Sequence, residues 1–163
     1  MDNLSITAIW SFLTWLPNFI LRRIFTKDRL SDLMLIDMRP RHDYCSVNLG
    51  ETASYDLWIE FRNLSPFDVE IDRAEVKFHC AGTTHKSAIL EKVQIEAGHV
   101  WVYYAQENIG DGQANHIAKN MDNHQSAIEL VVEFNCSLHS FKHLTGRLEG
   151  VKPRFVNANQ RVA

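Results

Sequence analysis

The sequence predicts a mainly β domain: a β-sandwich of six to seven antiparallel strands, immunoglobulin-like or of a similar type, preceded by one N-terminal membrane helix. Three observations lead to this prediction: segments in which apolar and polar residues alternate, turn residues between them, and an uncharged apolar run near the start. Alternation is typical of strands with one buried face, and many such segments with little helix favour a sandwich or small barrel. With 163 residues, 45% of them hydrophobic and 23% charged, the chain has the composition of one globular domain with an appendage.

The uncharged run covers residues 3–21, and its nineteen residues approach the roughly 20 that a membrane-spanning helix needs. It does not resemble a cleaved signal peptide, because no positive charge precedes it and Arg22 and Arg23 stand where small residues would mark a cleavage site. The positive charges after the run predict that the body of the protein is cytoplasmic. The residues expected to contact the membrane are Trp10, Phe12, Leu13, Trp15, Leu16, Arg22 and Arg23.

A narrow polar stripe leaves other arrangements of this segment open. Thr7, Ser11, Thr14 and Asn18 recur at steps of four, three and four, so they share one face of a helix. Such a helix could lie in the plane of the membrane surface, or it could pack through the stripe against another helix, which implies a homo-oligomer. A third alternative is that the segment belongs to the soluble core. Pro17 would kink the helix or end it early.

The strand pattern changes its parity in the middle of the chain. The segment YDLWIEF, residues 55–61, places its odd-numbered apolar residues on one face, and FDVEI continues with Val69 and Ile71 on that face. The next segment, AEVKFHC, instead has Val76 and Phe78 on the apolar face. Because apolar positions pass from odd to even numbers across Asp72-Arg73, the sequence predicts a β-bulge or a sharp bend there.

Two later segments, HVWVYY and SAIELVVEFNCSL, predict further strands, and the stretch between them predicts a loop and one short helix with Asp111 as a candidate N-cap. Three cysteines, Cys45, Cys80 and Cys136, include no C-x-x-C pair, which favours free thiols and a reducing compartment over a disulfide. The expected parts of the chain are a membrane segment (1–23), a connector (24–34), the sandwich (35–157) and a tail (158–163).

Charge is segregated along the chain although the net charge is only −3. Residues 42–141 carry six basic and fifteen acidic side chains, whereas residues 142–163 carry five basic and one acidic. An acidic body lacks the basic face that binding to long nucleic acids requires, so no such partner is expected. The basic end is instead a candidate site for lipid headgroups or for a small phosphate-bearing ligand. Its candidate ligand-binding residues are Lys142, His143, Arg147, Lys152 and Arg154.

The stretch LWIEFRNLSPFDVEIDRAEVKFHCAG resembles the repeating pattern of the late-embryogenesis-abundant (LEA) type 2 proteins and the related WHy domain. In that pattern a strand leads into N-x-S/N-P-F-x-V/I-x-I and then into a second alternating strand. The resemblance covers about residues 55–105 and implies a seven-stranded sandwich, often after an N-terminal membrane segment, with a binding or protective role and no catalysis. The residues that match the motif are Asn63, Ser65, Pro66, Phe67, Val69 and Ile71.

The eight histidines and the paired glutamates do not form a catalytic or metal-binding pattern. His139 and His143, like Glu129 and Glu133, are four positions apart, which on a strand corresponds to about 13 Å, too far to share one metal ion. This distance also exceeds the separation of a glycosidase carboxylate pair. There is no G-x-S-x-G motif and no cysteine in an activating context. We therefore expect no catalytic residues, no metal and no cofactor, and we do not expect an enzyme.

The function that follows is that of a membrane-anchored cytosolic β-sandwich that binds a protein partner or a small anionic ligand without catalysis. The alternative is a membrane effector. In that case the β domain senses an anionic ligand, for example a nucleotide, and oligomerisation of the N-terminal helices perturbs the bilayer.

Overall fold

The structure is a computed structural model, and it describes residues 16–38, 45–122 and 126–161. These residues form ten strands in two sheets, three short α-helices and a 3₁₀ helix, Ala158–Gln160. The helices are α1 (Asn18–Ile24), α2 (Lys27–Asp32) and α3 (Asp111–Lys119). The strands are β1 (Met34–Met38), β2 (Cys45–Asn48), β3 (Ser54–Asn63), β4 (Val69–Cys80), β5 (Thr83–Ile89), β6 (Val93–Ile95), β7 (Val100–Asn108), β8 (Ser126–Cys136), β9 (Ser140–Val151) and β10 (Arg154–Val156).

The first sheet is built around β3. Strand β7 pairs with β3 from Ser54 to Arg62, while β1 and β2 pair with successive parts of β3 and therefore share its other edge. Strand β10 extends the sheet by pairing with β2 in the parallel direction. The prediction of six to seven antiparallel strands is thus wrong in two respects, because the described part of the chain has ten strands and one of their pairings is parallel.

The second sheet is built around β4. Strand β8 pairs with one edge of β4 and carries β9 on its far side, whereas β5 and β6 pair with successive parts of the other edge. All of these pairings are antiparallel. The outer strands of this sheet are therefore β9 on one side and β5 with β6 on the other.

One hydrophobic core lies between the two sheets. The burial of β3 and β4 alternates along each strand, as the sequence predicts, and the inward side chains of both sheets belong to one cluster. The rings of Tyr55 and Phe78 meet across the core with their centroids 5.3 Å apart. The prediction of a mainly β domain is confirmed, and burial of these apolar faces is its main source of stability.

The predicted irregularity at Asp72-Arg73 is confirmed as a β-bulge. In the pairing of β4 with β8, Ile71 lies opposite Phe134 and Arg73 lies opposite Glu133, so the ladder shifts by one residue between them. Strand β4 continues through the bulge as one element of twelve residues. The extra residue turns the even-numbered apolar side chains toward the core, which is the change of parity seen in the sequence.

The motif that resembles LEA type 2 proteins forms the turn between β3 and β4. Asn63 is fully buried, and its side-chain amide donates to the carbonyl oxygens of Phe67, Ile95 and Glu96 at 2.8, 3.0 and 3.2 Å. Its side-chain oxygen accepts from the backbone N–H and the hydroxyl of Ser65. Asn63 therefore satisfies the buried backbone of the crossing between the sheets, and its position in the motif has a structural reason.

The end of the uncharged run and the predicted connector pack on the sandwich. Helix α1 begins after Pro17, which lacks an N–H to donate. Leu21 and Leu30 are 3% and 1% exposed and belong to the core, and the ring of Phe25 contacts Phe67 edge to face at 5.2 Å. Helix α2 is capped by the hydroxyl of Thr26 and packs against β9 and β1.

Within residues 16–38, 45–122 and 126–161, no helix combines the length and apolar character needed to cross a membrane, so the predicted membrane helix is unsupported there. Three of the predicted membrane-contacting residues are described: Leu16 packs partly buried against the core, and Arg22 and Arg23 are exposed. The predicted residues that lie outside the described part of the chain are Trp10, Phe12, Leu13 and Trp15, together with Thr7, Ser11 and Thr14 of the polar stripe.

The predicted short helix is α3, and its cap differs from the prediction. Asp111 is the first helical residue and Gly110 is the N-cap. The cysteines are free, as expected. Cys80 and Cys136 lie at opposite ends of the second sheet, since Cys136 pairs with Val69 and the other end of β4 carries Cys80. A bridge between Cys80 and Cys136 is therefore excluded by geometry.

Candidate functional site

The five basic candidates at the C-terminal end divide between the two sheets. Lys142, His143 and Arg147 lie on β9 of the second sheet. Lys152 lies in the connection that follows, and Arg154 is on β10, where it pairs with Ser46 of the first sheet. Charges that are close in sequence are therefore separated by the passage of the chain from one sheet to the other.

Lys142 faces the outer surface of the second sheet in a small charged groove. Its Nζ lies 3.7 Å from a carboxylate oxygen of Glu133, which pairs with Arg73 on the next strand. The groove has a volume of about 200 Å³, and Glu75 and Val131 complete its lining. Two basic and two acidic side chains balance each other here, so this groove does not favour an anion by charge alone.

Arg147 lies at the end of a transverse row of charged residues on the same surface. In the register of the sheet, Lys86, Lys77, Glu129 and Arg147 stand side by side on four adjacent strands. We call these four residues the basic row, because three of them are cations and one is a carboxylate; Arg147 also lies 3.7 Å from Glu149. Two lysines directly opposite each other repel, so an anion bound here would relieve an unfavourable pair.

His79 completes the surroundings of the basic row. Its Nε2 lies 3.4 Å from Glu129, and its Nδ1 lies 3.0 Å from the hydroxyl of Thr84. Reasoning from the sequence missed Lys77 and Lys86 because they are distant in sequence from Arg147. The only signal was their place on the polar side of alternating strands, which fixes a face of the sheet but not a neighbour on another strand.

His143 does not point toward the candidate anion surface. Its Nδ1 donates to the carbonyl oxygen of Ser31 at 3.0 Å, and it also lies 3.0 Å from the Ser31 hydroxyl. Burial lowers the pKa of His143, while the Ser31 carbonyl and the charge of Asp32 act in the opposite direction. His143 therefore attaches helix α2 to β9 in its neutral form.

Helix α1 presents an apolar and basic surface to solvent. Phe19 is 74% exposed and Ile24 is 38% exposed, although both are large hydrophobic side chains. Arg22 and Arg23 are exposed on the same short helix, one turn away from Phe19. Exposed aromatic and basic side chains next to each other suit the boundary between lipid headgroups and acyl chains.

A polar cavity of about 480 Å³ lies at the end of the sandwich between the β2–β3 loop, helix α3 and the 3₁₀ helix. Arg161 forms its wall, and its guanidinium donates to the carbonyl oxygens of Leu49, Gly50 and Glu51. It also donates to Asp111 at 2.9 Å and to Asn115 at 3.2 Å. These bonds engage all three guanidinium nitrogens, so Arg161 closes the end of the domain.

The described residues do not assemble a catalytic or metal centre. No group of three metal-binding side chains converges within the ranges that the structure describes. His139 contacts the carbonyl oxygen of Arg22 at 3.5 Å, so it does not face His143. Burial raises the pKa of Cys45, and it raises the pKa of Cys80 to about 11. Both thiols therefore stay protonated and are poor nucleophiles.

No protein-family model matches the sequence. A search of curated proteins also finds no match. Among solved structures, a structural genomics target determined by X-ray crystallography has a TM-score of 0.50 at 9% identity, covering 72% of this chain and 85% of that chain. Other similar structures include the solution structure of a late embryogenesis abundant protein, with a TM-score of 0.44 at 11% identity, covering 89% and 87%. A solution structure from Arabidopsis thaliana has a TM-score of 0.44 at 14% identity, covering 76% and 81%. At these identities the similarity concerns the fold alone.

Proposed function

We propose that the protein is a non-catalytic binding module that its N-terminal residues hold at the cytoplasmic surface of a membrane. The observation that carries this proposal is the surface of α1, where exposed Phe19 and Ile24 stand beside Arg22 and Arg23. This surface includes the end of the uncharged N-terminal run and the arginines that follow it. Apolar side chains would enter the acyl boundary while the arginines contact anionic headgroups.

The packing of α1 favours attachment in the plane of the membrane over a span. Leu16 and Leu21 pack on the core, so residues 16–21 of the uncharged run belong to the domain and at most thirteen, 3–15, remain for a span. A helix of that length is about 20 Å long, whereas the hydrocarbon core is about 30 Å thick. We therefore propose that residues 3–15 insert into the membrane surface beside α1, which would hold the sandwich close to the lipid.

The module itself is proposed to be a sandwich of the LEA type 2 kind that uses its outer strands for recognition. The turn built by Asn63 and Ser65 supports this assignment, since it gives the shared motif a physical role. The basic row is the surface proposed for a small anionic ligand. It is proposed in place of the five C-terminal candidates, which divide between two sheets.

Membrane attachment can be tested with the full chain and sedimenting vesicles. The wild-type protein is expected to bind vesicles that contain phosphatidylserine more strongly than vesicles of phosphatidylcholine alone. R22E/R23E is expected to weaken this binding by at least about tenfold, since each basic residue contributes about 1 kcal/mol. F19E should weaken binding to both kinds of vesicle. The control K77E/K86E reverses the same amount of charge on the outer surface of the second sheet, and it should bind vesicles like the wild type.

Equal binding by the wild type and R22E/R23E, or no binding to either vesicle, would remove the basis of the proposal. Release of dye trapped in the vesicles on addition of the wild type would favour the membrane effector instead. The anion site is tested separately by titrating the full chain with inorganic pyrophosphate. R147E should lose binding and R154E should keep it, because only Arg147 belongs to the basic row; the opposite result would reject that site.

A further inference from the structure

Strand β7 is an unpaired edge of the first sheet. Among the described strands it pairs only with β3. Two further bonds extend this ladder at its two ends. The backbone N–H of Asn63 donates to the carbonyl oxygen of His99 at 3.0 Å, and the backbone N–H of Ile109 donates to the carbonyl oxygen of Ala53 at 2.8 Å. Hydrogen-bonded pairs recur at every second residue of an antiparallel ladder, so the odd-numbered residues of β7 direct their backbone groups toward β3. The even-numbered residues, Val100 to Asn108, direct theirs to the free edge.

The side chains along β7 do not protect this edge. Residues 100–106, with the sequence VWVYYAQ, contain no charge, no proline and no glycine, although exposed edges usually carry lysine, proline or a bulge. Two outer strands of the second sheet differ, because β5 carries Lys86 and β9 carries Lys142. Val100 is 52% exposed and Tyr104 is 44% exposed, so the apolar character of β7 also reaches solvent.

We propose that the occupant of this edge is β7 of a second copy of the chain, paired antiparallel about a two-fold axis at Tyr103. In this register the even-numbered residues exchange backbone hydrogen bonds, with Val102 opposite Tyr104 and Val100 opposite Gln106. The odd-numbered residues form the close, non-hydrogen-bonded pairs, in which side chains interact most strongly. The resulting interface is isologous and closes as a dimer.

An imidazole and a carboxylate at the ends of the paired strands favour this register and a like partner. When Tyr103 lies on the axis, Glu107 of one copy faces His99 of the second copy, and the arrangement occurs twice. Both side chains are exposed, and both follow the inward parity of β7. A shift by two residues would break both contacts. The uncharged centre of the strand places no like charges opposite each other, so the edge is complementary to itself.

The first test is the mass of the full chain by sedimentation equilibrium in detergent micelles. We expect the wild type to be a concentration-dependent dimer and V102P to be monomeric, because proline removes an N–H at the free edge and leaves the bonds to β3 in place. L144E, which alters a residue 66% exposed on the second sheet, is the control and should remain a dimer. A monomeric wild type, or a V102P protein that dimerises like the wild type, overturns the proposal.

The second test does not depend on whether V102P folds. H99E places a carboxylate opposite Glu107 of the second copy and should weaken the dimer by about fivefold or more. Adding E107K to give H99E/E107K restores opposite charges and should restore dimerisation. Failure of the double variant to recover, with circular dichroism like that of the wild type, excludes this register. This inference does not rest on the proposed membrane attachment.

Discussion

The two long sides of the sandwich differ in how far other elements cover them. On one side, β1 and β9 approach each other and helix α2 covers the junction, with Leu30 buried and His143 bonded to Ser31. On the other side, β7 and the pair β5 and β6 lie at the margins of their sheets, and helix α3 contacts β5. We call these the closed side and the open side.

The chain buries side chains on the closed side, and it leaves backbone hydrogen-bonding groups of β7 unpaired on the open side. Burial is non-directional and stabilises the fold, whereas an unpaired strand edge is directional and accepts another strand. A side that is already covered cannot recruit a partner by strand pairing. The proposed dimer is therefore assigned to the open side.

The largest effect is expected from L30A, which removes a core side chain from the closed side. Leu30 is 1% exposed, so its truncation should lower the free energy of unfolding by about 2–5 kcal/mol. Urea denaturation of the full chain measures this loss, and L144A serves as the exposed control with a change within about 0.5 kcal/mol. A similar small change in L30A would mean that the closed side does not depend on α2.

Next in size is N63A, which affects the approach to the open side. Asn63 supports the carbonyl oxygens of Ile95 and Glu96, which lead from β6 into β7. Its loss leaves several buried carbonyl groups without donors and should cost roughly 2–4 kcal/mol. The β7 amides should then exchange with deuterium faster than those of β9. Uniform acceleration in both strands would show that Asn63 does not act locally on β7.

A smaller effect is the pH dependence of the stability, to which one histidine on each side contributes. His85 on β5 and His143 on β9 both have a pKa below the ordinary value of 6.5 because of burial. The unfolded chain therefore takes up protons near pH 6.5 while the folded chain does not, so stability should fall as the pH decreases below that value. H85Q and H143Q should each remove part of this pH dependence, because each removes a histidine whose pKa burial lowers.

Unfolding free energies measured at about pH 7.5 and about pH 5.5 give the slope for each variant. Equal slopes in the wild type, H85Q and H143Q would contradict this assignment.

The smallest effect is expected from Y55F on the open side. The hydroxyls of Tyr55 and Ser87 are enclosed, and neither has a hydrogen-bond partner of good geometry among the described residues. They are close enough that Ser87 acts to lower the pKa of Tyr55, although burial raises it overall. Removing the Tyr55 hydroxyl should therefore be neutral or stabilise the protein by up to about 1 kcal/mol. Thermal denaturation of Y55F beside S87A measures this. Destabilisation of both variants by more than about 1 kcal/mol would mean that the two hydroxyls are bonded in solution.

Local features of the fold could be predicted from the sequence because they repeat with the period of the backbone. The alternation in β3 fixes its buried face, and the change of parity at Asp72-Arg73 locates the bulge in β4. The role of Asn63 as a turn residue also follows from its chemistry, although its bonds to Ile95 and Glu96 at the end of β6 do not.

Pairings between distant segments could not be predicted in this way. The parallel pairing of β10 with β2 and the docking of α2 on β9 depend on tertiary packing, which leaves no periodic signal in either segment. For the same reason, Lys142 and Arg154 are close in sequence but belong to different sheets, while Lys77 and Arg147 share a surface. Composition identified a basic end, and only the strand order identified the basic row.

The position of β10 and Arg161 has a consequence for the order of folding during synthesis. Strand β2 and the carbonyl groups of Leu49 and Gly50 are made early. Strand β10, which extends the sheet at β2, and the side chain of Arg161, which bonds those carbonyl groups, are made after the other described strands. A nascent chain that has not reached residue 161 therefore exposes one edge of its first sheet on the ribosome. The domain can complete that sheet only after β10 and Arg161 have left the ribosome.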